Sequence, residues 1–470
     1  MKSLNSGASI TGILIGQLAI GSLAFLSGCA TTAISDRATD PVPTGSWART
    51  SLSEDVSLNW LTEFEDSVVI GFVREALGTN FGLAEQRIRL EDTRQAVVIA
   101  GADRWPALSA TLTASRSESD APRAILQSES TEYGLSAAAS WELDIWGRLS
   151  TTARAARLDY EASLAGYEAA RRGLVADTTA LAYDAIAARQ LLGLFEQRLE
   201  NLEAAYEIVD GSYRRGLGDA LDVYLAQNTI EQQRETVANQ RQQVLESTAS
   251  LQLALARYPD GELVLPSRLP LITSPISAGL PSQLLTRRKD IQSAWLDLLA
   301  ADARLAIAHK NRFPQLALSG SGGRISNGLS DLLDGDKTTW SVASSLTQPV
   351  FNAGRLRAAE EQARVRTLAL EQQYLALVYQ AFADVENAIS RMGSLEDRYD
   401  ALRKAEKNAE AALELAFEQY QRGLIPFTTV LESQRRYFDT GTSLVGVQNQ
   451  LVQNRVTLYR ALGGEFILDE

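Results

Sequence analysis

The sequence predicts a mainly α-helical fold, built as an internal two-fold repeat, with a β portion of the kind that closes into a membrane barrel. Three observations carry that prediction. First, two proline-free stretches, Arg148 to about Gly211 and about Arg355 to Gln421, each read as one helix far longer than a globular domain needs. Apolar residues recur at sevenfold spacing through Leu174, Leu181, Ala188, Phe195 and Leu202, with a second row at Ala185, Leu192 and Leu199, the seam of a coiled coil. Second, the two stretches are copies. Trp146-Gly147-Arg148-Leu149 aligns with Ala353-Gly354-Arg355-Leu356 at an offset of 354 − 147 = 207, and the same offset lays Tyr213-Arg214-Arg215-Gly216-Leu217 on Tyr420-Gln421-Arg422-Gly423-Leu424. An offset preserved from one end of a rod to the other marks a duplicated unit. Third, ahead of each rod the hydrophobic period changes from 3.6 to 2.

In chain order, the N-terminus reads as a targeting segment. Lys2 precedes an apolar run from Ile10 to Leu26, and Leu26-Ser27-Gly28-Cys29 follows. That pattern resembles a bacterial lipoprotein signal, which implies removal of residues 1–28 and Cys29 as the first mature residue. Cys29 is the sole cysteine and His309 the sole histidine of the 470 residues, so no intrachain disulfide and no Cys/His metal cluster can form. A net charge of −13 argues against a nucleic-acid partner. Residues 29–58, rich in Ser, Thr, Pro and Asp, read as an extended arm.

The first repeat is placed at 59–257. Two helical runs fill 59–102, broken near Gly78-Thr79-Asn80. A strand hairpin spans 105–145: Trp105 to Ser115 alternates, and between Tyr133 and Ile145 the odd positions are apolar while the even ones are mostly small or polar. The long helix 148–211 follows, then a turn, then a return helix 219–257 with Asp219 as a candidate N-cap. Residues 258–280 form a proline-rich linker. The second repeat, 281–470, holds a helix at Pro281 to Asn311, the strand hairpin 313–351, the long helix 355–421 and a final helix 426–462. Helix lengths predict that each rod pairs with two shorter helices end to end: 219–257 and 281–311 on the first rod, 427–462 and 59–102 on the second.

Strands of about 10 residues match a tilted membrane crossing. The aromatics Trp105, Tyr133, Trp141, Trp146, Phe313, Trp340 and Phe351 lie mostly at predicted strand ends, as an interfacial girdle would. Four strands cannot close a barrel, and open sheet edges do not survive in lipid, so membrane strands here would have to be pooled among several chains.

Those features together resemble the TolC-type outer-membrane efflux channel family, in its lipidated drug-efflux and nodulation-type branch. The likeness rests on Leu26–Cys29, on Trp141 through Arg148, on Gln348 through Arg355, on Tyr420 through Leu424 and on the closing Leu458-Tyr459-Arg460-Ala461-Leu462-Gly463-Gly464. It implies lipid attachment at Cys29, with no other cofactor. It also implies a homotrimer whose twelve pooled strands cross the outer membrane and whose helices form a tunnel into the periplasm. The implied partners are a periplasmic adaptor protein and an inner-membrane pump of the RND type. The turns Arg215-Gly216-Leu217 and Arg422-Gly423-Leu424 are then expected at the adaptor-docking tip. The resemblance places a constriction on the helix after the second turn, where Thr428, Glu432 and Arg435 share a face; the family often has an apolar residue and an aspartate at the first two positions. Asp222, Asp384 and Arg391 are further candidates for that gate. A non-pore periplasmic coiled-coil lipoprotein is the rival reading. An enzyme is not expected, since the chain has one histidine, no usable cysteine nucleophile and no compact acid pair.

Overall fold

The computed structural model describes residues 47, 60–119, 128–271, 281–334 and 338–466. The chain divides into Met1–Pro41, which lies outside the described residues together with Cys29, and Val42–Glu470, which holds every element below. In order these are α1 (Ser67–Thr79), α2 (Phe81–Ala102), β1 (Ala107–Ser119), β2 (Ser128–Leu143), α3 (Arg148–Arg214), α4 (Ala220–Ala254), α5 (Pro281–Arg287), α6 (Lys289–Lys310), β3 (Gln315–Ser326), α7 (Asp331–Asp334), β4 (Thr338–Thr347), α8 (Arg355–Gln421) and α9 (Phe427–Ala461).

The duplication is visible residue by residue. The rods α3 and α8 have 67 residues each and the return helices α4 and α9 have 35 each, all offset by 207. The 22-residue helices α2 and α6 are offset by 208. Both repeats break their leading helix at the same place. Asn80 adopts φ −61°, ψ 123° and its side chain accepts from Leu83 N; the matching Arg288 adopts φ −73°, ψ 117°. The second break splits the helix predicted for Pro281 to Asn311. Arg-Lys-Asp carries no Gly or Pro signal; what holds Arg288 is its guanidinium, bonded to Asp290 at 2.6 Å and Asp384 at 3.3 Å.

Rod α3 is the hub, packing against α1, α2, α4, α6 and α9, whereas α8 packs against α6 and α9. The expected partners of the first rod are therefore found, and α9 lies on the second rod as expected. Helix α2 does not join it; within the chain it packs on α3. Surrounded rods need more than one seam. Between Val175 and Ala187, Val175, Ala182, Tyr183 and Ile186 are all fully buried, outside the two heptad rows. There Tyr183 stacks on Phe64 at 5.3 Å, and Trp60 stacks on Tyr459 at 5.3 Å. A second cluster joins Ile291 to Val378, Ala381 and Val385 of α8. A third packs the turn end through Ala205, Val209, Phe427 and Val430.

The four strands form one antiparallel sheet in the order β1-β2-β3-β4. The first three outrun the predicted segments, whereas β4 ends at Thr347, short of its predicted end. The β1–β2 ladder continues to Ser119 opposite Ser128 through residues read as loop, since Arg116, Ser117 and Glu118 carry no apolar alternation. Strand β3 runs through Ser321-Gly322-Gly323 to Ser326. At Gly323 a Cβ would sit 2.7 Å from Leu135 O, so a glycine run that looks like a loop is a close strand approach.

Candidate functional site

The sheet has two unlike faces. Cross-strand pairs place Leu112 with Leu135, Trp141 with Leu318, Leu143 with Leu316, and Leu316 with Leu346, so one apolar face crosses all four strands. The opposite face carries Ser109, Thr111, Ser136, Ser140, Ser319, Ser321, Ser341 and Thr347, and Ser321 Oγ lies 2.8 Å from Ser341 Oγ across it. Tyr133 and Trp340 sit inside their strands and not at the ends. They mark where apolar alternation stops and the polar ladder continues, at one end of the apolar band. β1 and β4 each leave one edge unpaired within the chain. Among the described residues no helix is long and apolar enough to cross a membrane.

The motifs that flank the strands build the joint between sheet and rods. Trp141 Nε1 donates to Arg104 O at 3.0 Å, and at the matching place Gln348 Nε2 donates to Arg312 O at 3.1 Å. Asp144 caps α3 by accepting from Leu149 N and Ser150 N, each at 2.8 Å; Asn352 Oδ1 accepts from Leu356 N at 3.3 Å. Arg148 forks onto Glu142 at 2.7 Å. Trp146 then ties the repeats together: its Nε1 donates to Pro314 O at 2.6 Å and its ring lies 5.4 Å from that of Phe313. Helix α6 is bonded to both rods, through Lys310 Nζ to Gly147 O at 3.1 Å and through His309 and Arg312 to Glu360 at 2.8 and 2.6 Å.

At the far end the two turns have one geometry. Gly216 and Gly423 both have φ +72°, the left-handed conformation glycine adopts without strain. Leu217 N donates to Ser212 O at 2.9 Å and Leu424 N to Gln419 O at 3.0 Å, the closing bonds of a Schellman cap. The cap accounts for the glycines. It leaves Leu217 79% and Leu424 69% exposed, beside the exposed Arg215 and Arg422. Among the described residues the Arg422 side chain makes only a long contact to Glu418, 3.6 Å.

Thr428, Glu432 and Arg435 lie on the first turns of α9, as their spacing predicts. Glu432 accepts from Arg435 at 2.9 Å and from Arg436 at 2.8 Å, and Arg435 reaches Asp439 at 3.2 Å. Hydrogen bonds from Arg435, then Arg436, hold the Glu432 carboxyl down to about 2. Thr428 makes no hydrogen bond to this network among the described residues. Arg436 and Asp439 were not among the sequence candidates, yet both fall four residues from a partner, a spacing that finds them. Asp222 stands at the turn end in the first turn of α4. Asp384 and Arg391 do not belong there. They sit at mid-rod, where 421 − 391 = 30 residues, roughly 45 Å of helix, separate Arg391 from the end of α8.

With this geometry in view the similarities to known proteins have a place. The family model "Outer membrane efflux protein" matches residues 72–257 and 280–464, one segment per repeat. Cation efflux system protein CusC of Escherichia coli K12 is 28% identical over 451 residues, 93% of this chain and 97% of that protein. Outer membrane protein OprJ of Pseudomonas aeruginosa is 32% identical over 416 residues, covering 87% of this chain and 86% of OprJ. The crystal structure of the open state of the Neisseria gonorrhoeae MtrE outer membrane channel superposes with a TM-score of 0.81 at 28% identity, over 90% of this chain and 96% of MtrE. Two matched repeats, a sheet with one apolar face and near full-length similarity lead to one conclusion: the chain belongs to the outer membrane efflux protein family.

Proposed function

We propose that this protein is the outer-membrane exit duct of a tripartite efflux system, a passive conduit for small molecules driven by an inner-membrane pump through a periplasmic adaptor. The observation that carries the reading is the unfinished state of the single chain. Its sheet has an apolar face and two open edges, an arrangement that lipid does not tolerate. Three copies supply 3 × 4 = 12 strands, an even barrel wide enough for water. Its apolar face then meets lipid and its serine and threonine face lines a polar bore.

The repeat dictates how copies join. Within the chain β2 pairs with β3, with Ser140 opposite Ser319. Moving β2 by +207 and β3 by −208 puts Thr347 of one copy opposite Thr111 of the next. Cys29 carries the lipid that holds the mature N-terminus at the membrane. The exposed Arg215, Leu217, Arg422 and Leu424 take the adaptor, and Thr428, Glu432 and Arg435, repeated by threefold symmetry, ring the closed tip. Single-channel recording in planar bilayers tests the duct: closed-state conductance should rise in Glu432→Ala and Arg435→Ala. An absence of pores from detergent-purified protein would favour the non-pore coiled-coil alternative.

A further inference from the structure

A cavity of roughly 590 Å³ lies at mid-rod, where α3, α8, α9 and the α5–α6 break meet. Five cationic side chains line it, Arg172, Arg288, Lys289, Arg391 and Arg460, against the lining carboxylates Asp290 and Asp384. Glu465 and Asp177 pair with Arg172 and Arg460 from outside the lining, which leaves an excess of 5 − 4 = 1 positive charge. Four of the cations are engaged. Arg172 donates to Gly463 O at 2.8 Å and to Glu465 at 3.2 Å, Arg288 to the two aspartates, Lys289 to Gln292 at 2.9 Å and Arg460 to Asp177 at 2.8 Å. Arg391 is exposed and makes no ion pair or hydrogen bond among the described residues. Beside it Asn454, 3% exposed, donates through Nδ2 to Ala388 O at 2.9 Å, which leaves its Oδ1 buried and without a partner. An unmatched buried acceptor is costly unless something donates to it.

The duplication supplies a control for whether the fold itself needs these charges. Shifted by 207, or by 208 for the α6 segment, the five cations fall on Tyr379, Asn80, Phe81, Asp184 and Leu253. None is basic. Arg288 serves the fold, since its ion pairs hold the α5–α6 break; the helices that carry the other four positions form in the other register without cations there. Concentrating positive charge in a concave, partly desolvated site raises the local concentration of anions, and a guanidinium fork matches carboxylate or phosphate oxygens.

We propose that this mid-rod cavity binds a small oxyanion of the phosphate or hydroxycarboxylate class, with Arg391 as the docking cation and Asn454 Oδ1 as acceptor for the anion's own O–H. The site stands apart from the conduit reading and needs no pore for its test. The same phosphate chemistry reaches it as a free solute or as a phospholipid headgroup, so three probes are used: inorganic phosphate, citrate, and phosphatidylglycerol in mixed micelles. Each is titrated calorimetrically at fixed ionic strength into detergent-purified full-length protein and into Arg391→Gln. At least one probe should bind saturably in the millimolar range or tighter. Arg391→Gln should weaken that binding at least tenfold while leaving the melting temperature without ligand unchanged, because this side chain has no partner to lose. Saturation by phosphate or citrate assigns a solute, and saturation by phosphatidylglycerol alone assigns a headgroup. Lack of saturable binding by all three, or equal binding by Arg391→Gln, overturns the proposal.

Discussion

Helices α2 and α6 hold the same place in the two repeats and have the same length, yet one is almost bare and the other almost covered. On α2, Ile88, Val98 and Ile99 are 71%, 61% and 68% exposed; their counterparts on α6, Leu296, Ala306 and Ile307, are all half-buried. The difference is in the neighbours. Helix α6 lies against both rods of its chain, whereas among the described residues α2 packs on α3 and not on α8. The sheet shows the same asymmetry, with β2 and β3 paired where the repeats meet and β1 and β4 unpaired where they end. In the proposed trimer, the contact between repeats inside the chain is the template for the contact between chains.

Charging the two helices should break that comparison most sharply. Ile291→Asp on α6 places a carboxylate at a position only 1% exposed, a burial cost of several kcal/mol that rivals a domain's whole stability, so the chain should fail to fold. Val98→Asp with Ile99→Asp on α2 should leave helical circular dichroism intact and abolish the trimer in light-scattering chromatography. Persistence of the trimer would show that α2 does not face a neighbour. Next in size is the joint. Trp146→Ala removes the ring on Phe313 and the bond to Pro314, and should cost about 3 kcal/mol in denaturant unfolding, whereas the counterpart Ala353 has no such contacts to lose. Asp144→Ala, which uncaps α3, should cost about 1 kcal/mol.

The smallest effect expected is on pH dependence at the turn end. The folded-state value for Glu432 lies below the ordinary 4.5, at about 2, so its pairing with Arg435 and Arg436 is complete above 4.5 and fades as pH falls through about 2. Closed-state conductance should thus be flat from pH 8 to 5 and rise only in stronger acid. A rise near pH 6 would assign the closed tip to another group.

Much of this architecture was legible because it is written twice. Rods, return helices and Arg-Gly-Leu turns were placed within a few residues, since Gly216 and Gly423 are the positions where only a left-handed residue closes the cap. Strand ends were not legible: Arg116 to Ser119 and Ser128 to Glu132 pair above the apolar band, where nothing enforces alternation. The break at Arg288 was hidden because an ion pair to a distant rod, and no local signal, holds it. The pairing of α2 with α8 was inferred from length, and length cannot tell a neighbour in the chain from a neighbour in another copy. The network around Glu432 was half legible, since its i,i+4 partners Arg436 and Asp439 are local while their exposure is not.

The most direct measurement is oxidative cross-linking of Thr111→Cys with Thr347→Cys, two positions on the hydroxyl-bearing face that the repeat places opposite each other across an edge no single chain can close. The expected result is a covalent trimer on non-reducing gels that collapses to monomer on reduction, with Thr113→Cys and Thr347→Cys, two residues out of register, giving much less. Efficient cross-linking of the shifted pair, or a chain that stays monomeric under oxidation, would contradict the account.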